Sequence, residues 1–217
     1  PINLDMREAG AMVHVTFGIN IVVDTSSRHS GLFCGEFDKA WQASCSYVQK
    51  GYGLPIDYQA DVVIASCGGF PKDLNFYQST KTLFNASRAV KEGGTLIMLA
   101  ECPEGSGSKD FFDWIKPLSK GCLDEALRAS FTIGGYIFYA ACESIRRSKT
   151  LLLSSMEPEL VRDMGVRSFK DMKDLLAELD INRKDVYVIP YGGSVLPQTK
   201  EAYERICREA EENGGAK

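Results

Sequence analysis

The sequence predicts an α/β protein with a parallel-rich sheet covered by helices on both faces. The runs at 61–67 and 95–102 are strand-sized and almost continuously apolar, which is typical of strands buried on both sides. Segments with helical periodicity separate the predicted strands along the chain. Strands that alternate with helices usually pair in parallel, because each connecting helix crosses over the sheet.

The amino-terminal part predicts a helix, a hairpin and a second helix. Residues 4–12 have a helical pattern, and residues 13–24 form a strand candidate rich in β-branched residues. A polar turn at 25–29 leads to a short partner strand at 31–34. Residues 36–50 have the spacing of an amphipathic helix. The predicted fold class therefore includes a short antiparallel hairpin near the N-terminus.

The segment after the strand at 61–67 predicts a tight loop and a helix. Gly68 and Gly69 end the strand, and Asp73 is expected to cap a helix over about 73–90, a stretch without Gly or Pro. The helical period turns one apolar stripe of this segment toward the sheet. Its members are Phe76, Leu83, Ala86 and Val90.

The rest of the chain continues the alternation. Strands are predicted at 95–102, 151–155 and 186–190, and helices at about 110–118, 123–130, 136–146, 169–179 and 200–212. Residues 1–212 are therefore expected to form a single α/β domain, followed by a frayed tail at 213–217. The chain begins at Pro1 and not at methionine, and the helix at 4–12 reads as already under way, which favours a piece cut from a longer protein.

Composition limits the classes of function. A formal net charge of -4 and a pI near 5.3 provide no basic footprint for nucleic acid. No run approaches the roughly 18 apolar residues of a membrane span. Seven cysteines without C-x-x-C spacing favour a reducing cytoplasm. His14 and His29 are too few and too far apart for a histidine-rich metal site, so no metal site is predicted within this chain.

Glycine-containing loops follow three of the predicted strands, at 67–71, 101–107 and 190–194. If the strands are parallel, these loops meet at one edge of the sheet and line a single crevice, with backbone N–H groups available to an anion. Gly68 and Gly69 are accordingly candidate cofactor-binding residues. Turn formation alone would explain each loop separately.

Gln78 and Lys81 are the candidate ligand-binding side chains of the helix that follows the glycine turn. A spacing of three residues lets a helix present an amide and an ammonium group together, which suits a carboxylate or phosphate. The alternative is that both residues, with Asn85 and Arg88, form only the solvated face of a surface helix.

Other chemistries have weaker support. Gly68-Gly69 lacks the G-x-G-x-x-G spacing of a nicotinamide-dependent oxidoreductase. Cys67 and Cys102 end strands beside the predicted crevice, but no nearby histidine would activate a thiolate. Glu101 with Glu104 is more typical of caps or rim charges than of an acid–base pair.

A longer pattern in this region resembles a known family. Gly-Gly-Phe-Pro at 68–71 is followed by Tyr-Gln-x-x-Lys at 77–81, by Gly-Gly-Thr-Leu-Ile at 93–97 and by Glu-Cys-Pro-Glu-Gly-Ser-Gly at 101–107. This pattern resembles the carboxyl-terminal domain of the nickel-dependent lactate racemase family. Matches near the predicted hairpin and at Pro-Tyr-Gly-Gly-Ser, 190–194, extend the resemblance over most of residues 10–197.

The resemblance implies an isomerase, a racemase or epimerase of a small 2-hydroxy acid. In that family a nickel pincer nucleotide accepts a hydride from the α-carbon while a histidine takes the hydroxyl proton, and return of the hydride to the other face inverts the centre. The nickel ligand and the acid–base histidines belong to an amino-terminal domain that this chain does not contain. The resemblance therefore implies that this chain closes over the cofactor and is inactive alone.

The resemblance also implies residue roles. Gln78 and Lys81 are the implied catalytic positions, and together with Tyr77 they would hold the substrate. By a looser alignment Tyr136 stands where some members have a tryptophan that faces the site, which favours a 2-hydroxy acid other than lactate.

A non-catalytic α/β module that binds an anionic ligand or a partner protein is the alternative function. The reading frame upstream of Pro1 distinguishes the two. A preceding domain rich in histidine would favour the racemase, whereas an independent start codon would favour the module.

Overall fold

The structure is a computed structural model that describes residues 2–24, 26, 28–107, 110–179 and 184–214. Within these residues the α-helices are, in chain order, α1 (Ile2–Ala11), α2 (Phe37–Tyr52), α3 (Phe76–Ala86), α4 (Ile115–Ser119), α5 (Leu123–Ala129), α6 (Ile133–Arg146), α7 (Glu159–Arg162), α8 (Met172–Ala177) and α9 (Lys200–Gly214). The strands are β1 (Gly18–Val23), β2 (His29–Gly35), β3 (Gly53–Ile56), β4 (Ala60–Ser66), β5 (Val90–Leu99), β6 (Lys149–Leu153), β7 (Arg167–Phe169), β8 (Val186–Ile189) and β9 (Leu196–Thr199). Short 3-10 helices cover Phe112–Trp114 and Gly192–Ser194.

Contacts divide the chain into two compact units. Unit 1 comprises residues 1–53 and 200–217, and unit 2 comprises residues 54–199. The expectation that residues 1–212 form a single domain stays a prediction. Helix α9 continues to Gly214, and residues 215–217 of the expected tail lie outside the described residues.

Unit 2 is built on a five-stranded sheet with the order β7-β6-β5-β4-β8. All four strand pairings are parallel, and Ile64 of β4 lies opposite Ile97 of β5, which in turn lies opposite Leu151 of β6. The predicted parallel-rich α/β fold is therefore confirmed.

Apolar side chains cover both faces of this sheet because successive strand residues point to opposite sides. Val63 faces one side, in the core cluster that includes Leu83 of α3. Val62 and Ile97 face the other side and cluster with Leu175 of α8. Helices on both faces follow from this alternation, as the sequence predicted.

Helix α3 positions the candidate site and is shorter than predicted. Its apolar stripe is buried as expected, at Phe76, Leu83 and Ala86. The N-cap, however, is Asn75, whose side-chain oxygen accepts the N–H of Gln78, so the prediction of Asp73 as the cap was wrong. The helix also ends at Ala86, because the chain turns there into β5.

Two other departures involve short strands. The expected helix over 169–179 begins only at Met172, because Asp171 caps it by accepting the N–H of Lys173. The residues before it form β7, which pairs with β6. Strands β3 and β9 form a separate two-stranded sheet that the sequence did not predict.

Unit 1 contains the predicted antiparallel hairpin, formed by β1 and β2. Helix α2 packs on this hairpin and on α9. Its first turn is capped by Glu36, whose carboxylate accepts the N–H groups of Asp38 and Lys39. The expected short hairpin near the N-terminus is therefore confirmed.

Candidate functional site

A cavity of about 290 Å³ lies in unit 2 where β4 and β8 end at the same edge of the sheet. Parallel strands bring the loops after their carboxyl ends together, and such edges are the usual ligand sites of open α/β sheets. The lining residues are Cys67, Pro71, Lys72, Gln78, Lys81, Thr82, Gly193 and Ser194. Two of the three predicted glycine loops, 67–71 and 190–194, therefore line one crevice.

The glycine turn at the end of β4 requires its two glycines. Gly68 and Gly69 have φ values of 87° and 75°, in the left-handed region that favours glycine. A Cβ on Gly68 would lie 2.8 Å from the ring of Tyr191. The N–H of Gly68 already donates to Ser66 Oγ, over 3.0 Å. The cofactor-binding role predicted for these glycines stays a prediction.

The third glycine loop, 101–107, does not line this cavity, and part of it holds the start of α3. Its carbonyl groups at Gly105 and Ser106 accept the N–H groups of Phe76 and Tyr77 at the start of α3. Together with the Asn75 cap, this leaves the first amides of α3 hydrogen-bonded within the protein. Side chains, not the helix amides, are therefore the groups that α3 offers to a ligand in this cavity.

Gln78 and Lys81 do come together on α3. Lys81 Nζ donates to Gln78 Oε1 over 2.8 Å. An ammonium group has three N–H donors, so this bond leaves donors on Lys81, and it directs the amide oxygen of Gln78 toward the lysine. The side-chain N–H₂ of Gln78 and the ammonium of Lys81 can then donate to the same anion.

Sequence reasoning missed Lys72, which lines the same cavity from the loop after the glycine turn. Lys72 Nζ donates to Ser194 Oγ over 3.1 Å and lies 6.0 Å from the centre of the Tyr191 ring. Its position directly after the Gly-Gly-Phe-Pro turn could have indicated a role in the site. Its hydrogen-bond partner Ser194, however, lies 122 positions further along the chain. The lining thus contains two lysines and no carboxylate, which makes it suited to an anion.

The loop at 191–194 is fixed to α3 by a hydrogen bond and by close packing. Asn85 Nδ2 donates to the carbonyl of Gly192 over 2.9 Å. Gly192 lies so close to Thr82 that an added Cβ would be 2.6 Å from its methyl group. Asn85, expected to be part of a solvated face, therefore positions the wall of the cavity that carries Ser194.

The two predicted tyrosines do not line this cavity. The ring of Tyr77 packs edge-on against Phe111 at a centroid distance of 5.8 Å, beside the core of unit 2. Tyr136 is exposed on the first turn of α6, with its ring 6.3 Å from that of Phe131. Substrate binding by Tyr77 and Tyr136 stays a prediction.

Cys67 forms part of the buried floor of the cavity. Burial raises the pKa of its thiol, and burial also raises the pKa of Cys102 to about 11. Both groups are therefore protonated at neutral pH, and a protonated thiol is a poor nucleophile. The expectation that neither cysteine acts as a catalytic thiolate stays a prediction.

A second cavity, of about 630 Å³, opens at the same sheet edge beyond Gly69, and its lining includes Asp73, Glu101, Ser154 and Ser155. Its polar groups largely satisfy one another. Asp73 accepts the N–H of Glu101, and both serine hydroxyls donate to the Glu101 carbonyl over 2.8 Å. These contacts support the strand ends.

Neither a metal site nor a membrane helix is found in the described part of the chain. No three His, Cys, Asp or Glu side chains in it lie close enough together to hold a metal ion. None of its helices combines the length and the apolar character that crossing a bilayer requires. The seven cysteines are free thiols.

Comparison with known proteins gives a consistent family. The sequence model described as "Lactate racemase C-terminal domain" matches residues 56–196. A lactate racemase from Thermoanaerobacterium thermosaccharolyticum is 32% identical, with 92% of this chain and 49% of the relative aligned. A lactate racemase from Lactiplantibacillus plantarum is 33% identical over 58% of this chain and 30% of its own length. This chain therefore spans at most about half the length of these relatives.

Solved structures are similar to this chain in the same way. The lactate racemase apoprotein from T. thermosaccharolyticum superposes with a TM-score of 0.80 at 29% identity, over 89% of this chain and 48% of that structure. A Thermotoga maritima protein is similar with a TM-score of 0.58 at 14% identity, over 85% of this chain and 49% of its own, which is a likeness of fold.

Proposed function

We propose that this chain, which belongs to the lactate racemase family, provides the part of a 2-hydroxy acid racemase or epimerase that holds the substrate and closes over the cofactor. The observation that carries the proposal is the lysine-lined cavity within the family-matched region. A 2-hydroxy acid has one carboxylate, and Lys81 and Gln78 offer it charge-assisted hydrogen bonds from one side.

In this proposal Lys81 is the main anion-binding group. Its hydrogen bond to Gln78 Oε1 orients the amide, so that both side chains donate to one carboxylate. Lys72 and the hydroxyl of Ser194 supply further donors on the facing wall. Fixing a carboxylate in this way orients the α-carbon, whose hydrogen must leave and return during racemisation.

The nickel pincer nucleotide belongs, in this proposal, to the part of the enzyme outside this chain. When bound, it supplies the hydride acceptor. The described residues provide no cluster of metal ligands, so they do not fit a role in holding the nickel ion. We therefore expect this chain alone to be inactive, in an enzyme that works in the reducing cytoplasm, where thiols stay free.

Closure is part of the same proposal. Phe70, next to Pro71 in the loop that lines the cavity, is 80% exposed. A partner domain that covers Phe70 and the lysines would exclude water from the reacting carbon, as hydride transfer requires.

The test is a pair of substitutions, one on the polar side of α3 and one beyond its end, made in an enzyme that contains both halves. Lys81→Met should lower kcat/KM by about 10- to 150-fold, since a hydrogen bond to a charged group contributes about 1.5–3 kcal/mol. Arg88→Met, just beyond the end of the helix, should have little effect, because Arg88 is exposed and does not line the cavity. Racemisation is followed by chiral analysis of the hydroxy acid.

Equal and small effects of Lys81→Met and Arg88→Met would restore the solvated-face interpretation of Lys81. The non-catalytic alternative has its own outcome. If both halves together bind a hydroxy acid through Lys81 but never invert it, the chain is a binding module.

A further inference from the structure

The hairpin sheet of unit 1 has one covered face. Its inner side packs on α2, where the rings of Phe33 and Tyr47 are 5.4 Å apart. The hydroxyl of Tyr47 donates to the Ser30 carbonyl over 2.6 Å, and that of Tyr52 to the Val23 carbonyl over 2.7 Å. Helix α2 therefore holds this face by aromatic packing and by hydrogen bonds to the strand backbone.

The opposite face of the hairpin is apolar and exposed. Ile19, Ile21 and Leu32 are 64%, 53% and 66% exposed. Ile21 lies opposite Leu32, and Ile19 lies opposite the exposed Cys34, so these side chains form one continuous surface across both strands. We call this surface, with Val23, the outer hairpin face. Contiguous exposed apolar surface of this kind marks an interaction site.

Unit 1 has little core of its own to offset this exposure. Among its described residues, the buried apolar side chains are Val22 and Ala40. Its hairpin has two strands in the described part of the chain, and α2 covers one face of them while the other face stays exposed. The exposed apolar face of the hairpin in unit 1 therefore needs a further layer of apolar side chains from another polypeptide.

The comparisons indicate what supplies it. The match to the C-terminal domain model, 56–196, lies entirely within unit 2. The alignment with the T. thermosaccharolyticum racemase covers 92% of this chain, far more than unit 2 alone, so it extends into unit 1. That relative is about twice as long as this chain, and it has a unit 1 equivalent within one continuous polypeptide.

We propose that the outer hairpin face docks the polypeptide that corresponds to the half of the lactate racemases that this chain does not span. This inference rests on the proposed function, and it specifies the surface through which the two parts join. Unit 1 completes its core with that partner, whereas unit 2 has its own core and presents the lysine-lined cavity. The packing required is that of a domain interior, because the exposed side chains are aliphatic and uncharged.

The test uses this chain and the polypeptide encoded upstream of Pro1, produced and purified separately. The variant is Ile21→Lys with Leu32→Lys, which should weaken association by about 100-fold or more, because it buries two unpaired ammonium groups in the interface. Val188→Lys is the matched control, since Val188 is 67% exposed on β8 of unit 2. Calorimetric titration measures the affinities, and circular dichroism checks that each variant is folded.

Thiol labelling gives an independent measurement on the wild-type proteins. Cys34 lies on the outer hairpin face and is exposed in this chain. Its alkylation, read by mass spectrometry, should slow by about tenfold or more when the partner is bound, because the reagent needs access to the sulfur. Unchanged labelling in a complex that has formed would overturn the proposal.

The remaining outcomes are also decisive. A dimer of this chain alone that the double lysine variant dissociates would assign the face to a second copy and overturn the proposal. So would the lack of any upstream polypeptide that binds, or equal binding by the variant. Lys81→Met should assemble normally, so a failure to dock and a failure of the proposed substrate role are distinguishable.

Discussion

The two units of this chain differ in how their amphipathic elements are covered. In unit 2 the central strands are buried on both faces, and Val63, Leu96 and Leu152 have no exposed surface. In unit 1 a hairpin with the same kind of apolar pattern is covered on one face only. Periodicity therefore shows which face of an element needs a partner, but not whether the same chain provides that partner.

Removing one aromatic side chain from the core of unit 2 should have the largest effect on stability. Phe111 is fully buried among the rings of Phe76, Tyr77, Phe112 and Phe138. Phe111→Ala should lower the free energy of unfolding of unit 2 by about 3–5 kcal/mol, through lost burial and the cavity left behind. Urea unfolding followed by tryptophan fluorescence measures it.

Each unit contains one tryptophan, Trp41 in unit 1 and Trp114 in unit 2, so single-tryptophan backgrounds report the units separately. The control is Phe33→Ala in unit 1, read through Trp41. Phe33 is only partly buried, so its loss should cost about 1–2 kcal/mol, below the value for burying a whole side chain. Comparable losses from the two substitutions would contradict the claim that unit 2 alone has a complete core.

Helix caps give a second, smaller contrast between the units. Asn75 caps α3 from a buried position, and its side chain fills the space next to Gly107. Glu36 caps α2 from an exposed one. Asn75→Ala should lower the free energy of unfolding by about 1–2 kcal/mol, and Glu36→Ala by less, since water can replace an exposed cap.

Thermal unfolding of both variants measures this difference. Asn75→Asp, which keeps the accepting oxygen for the N–H of Gln78, should recover most of the loss. If the aspartate is as destabilising as the alanine, Asn75 contributes mainly through its donor, because Asn75 Nδ2 donates to Glu104 Oε2 over 3.4 Å and an aspartate cannot make this bond.

The fold of unit 2 was largely predictable because its signals are local. Continuous apolar strands and the stripe of α3 need only the neighbouring sequence, and the structure confirms both. The cap of α3 was misassigned because Asp73 and Asn75 are both good N-caps, and contacts from the 101–107 loop decide between them. Strands β3, β7 and β9 were missed because three or four residues are too few to establish a period.

The candidate site was only half predictable for a related reason. Gln78 and Lys81 are neighbours on one helix, so their contact follows from helical spacing. The bond between Lys72 and Ser194 joins residues 122 positions apart and depends on the parallel pairing of β4 with β8. Tyr136 was placed by alignment alone, and it is not among the residues that line the cavity.

The smallest expected effect comes from two ion pairs of equal exposure, one in each unit. Asp61 with Lys91 in unit 2 and Asp38 with Arg7 in unit 1 have the same side-chain exposures, and their N–O distances are 2.9 and 2.8 Å. Exposed pairs contribute little at neutral pH. Asp61→Asn and Asp38→Asn should therefore both change the urea midpoint only slightly at pH 7, and less still in high salt.

Acid unfolding tests the Asp61 pair further. The hydrogen bond from Lys91, followed by that from the Asp185 N–H, lowers the pKa of Asp61 below its usual value of 3.8. A carboxyl group with a lowered pKa stabilises the folded state above its unfolded pKa, and this stabilisation is lost as the pH falls through the folded pKa. Wild-type unit 2, read through Trp114, should therefore lose stability more steeply below about pH 4 than the Asp61→Asn variant does. If the free energy of unfolding falls equally steeply with decreasing pH in wild type and in Asp61→Asn, Asp61 does not couple the starts of β4 and β5 in solution.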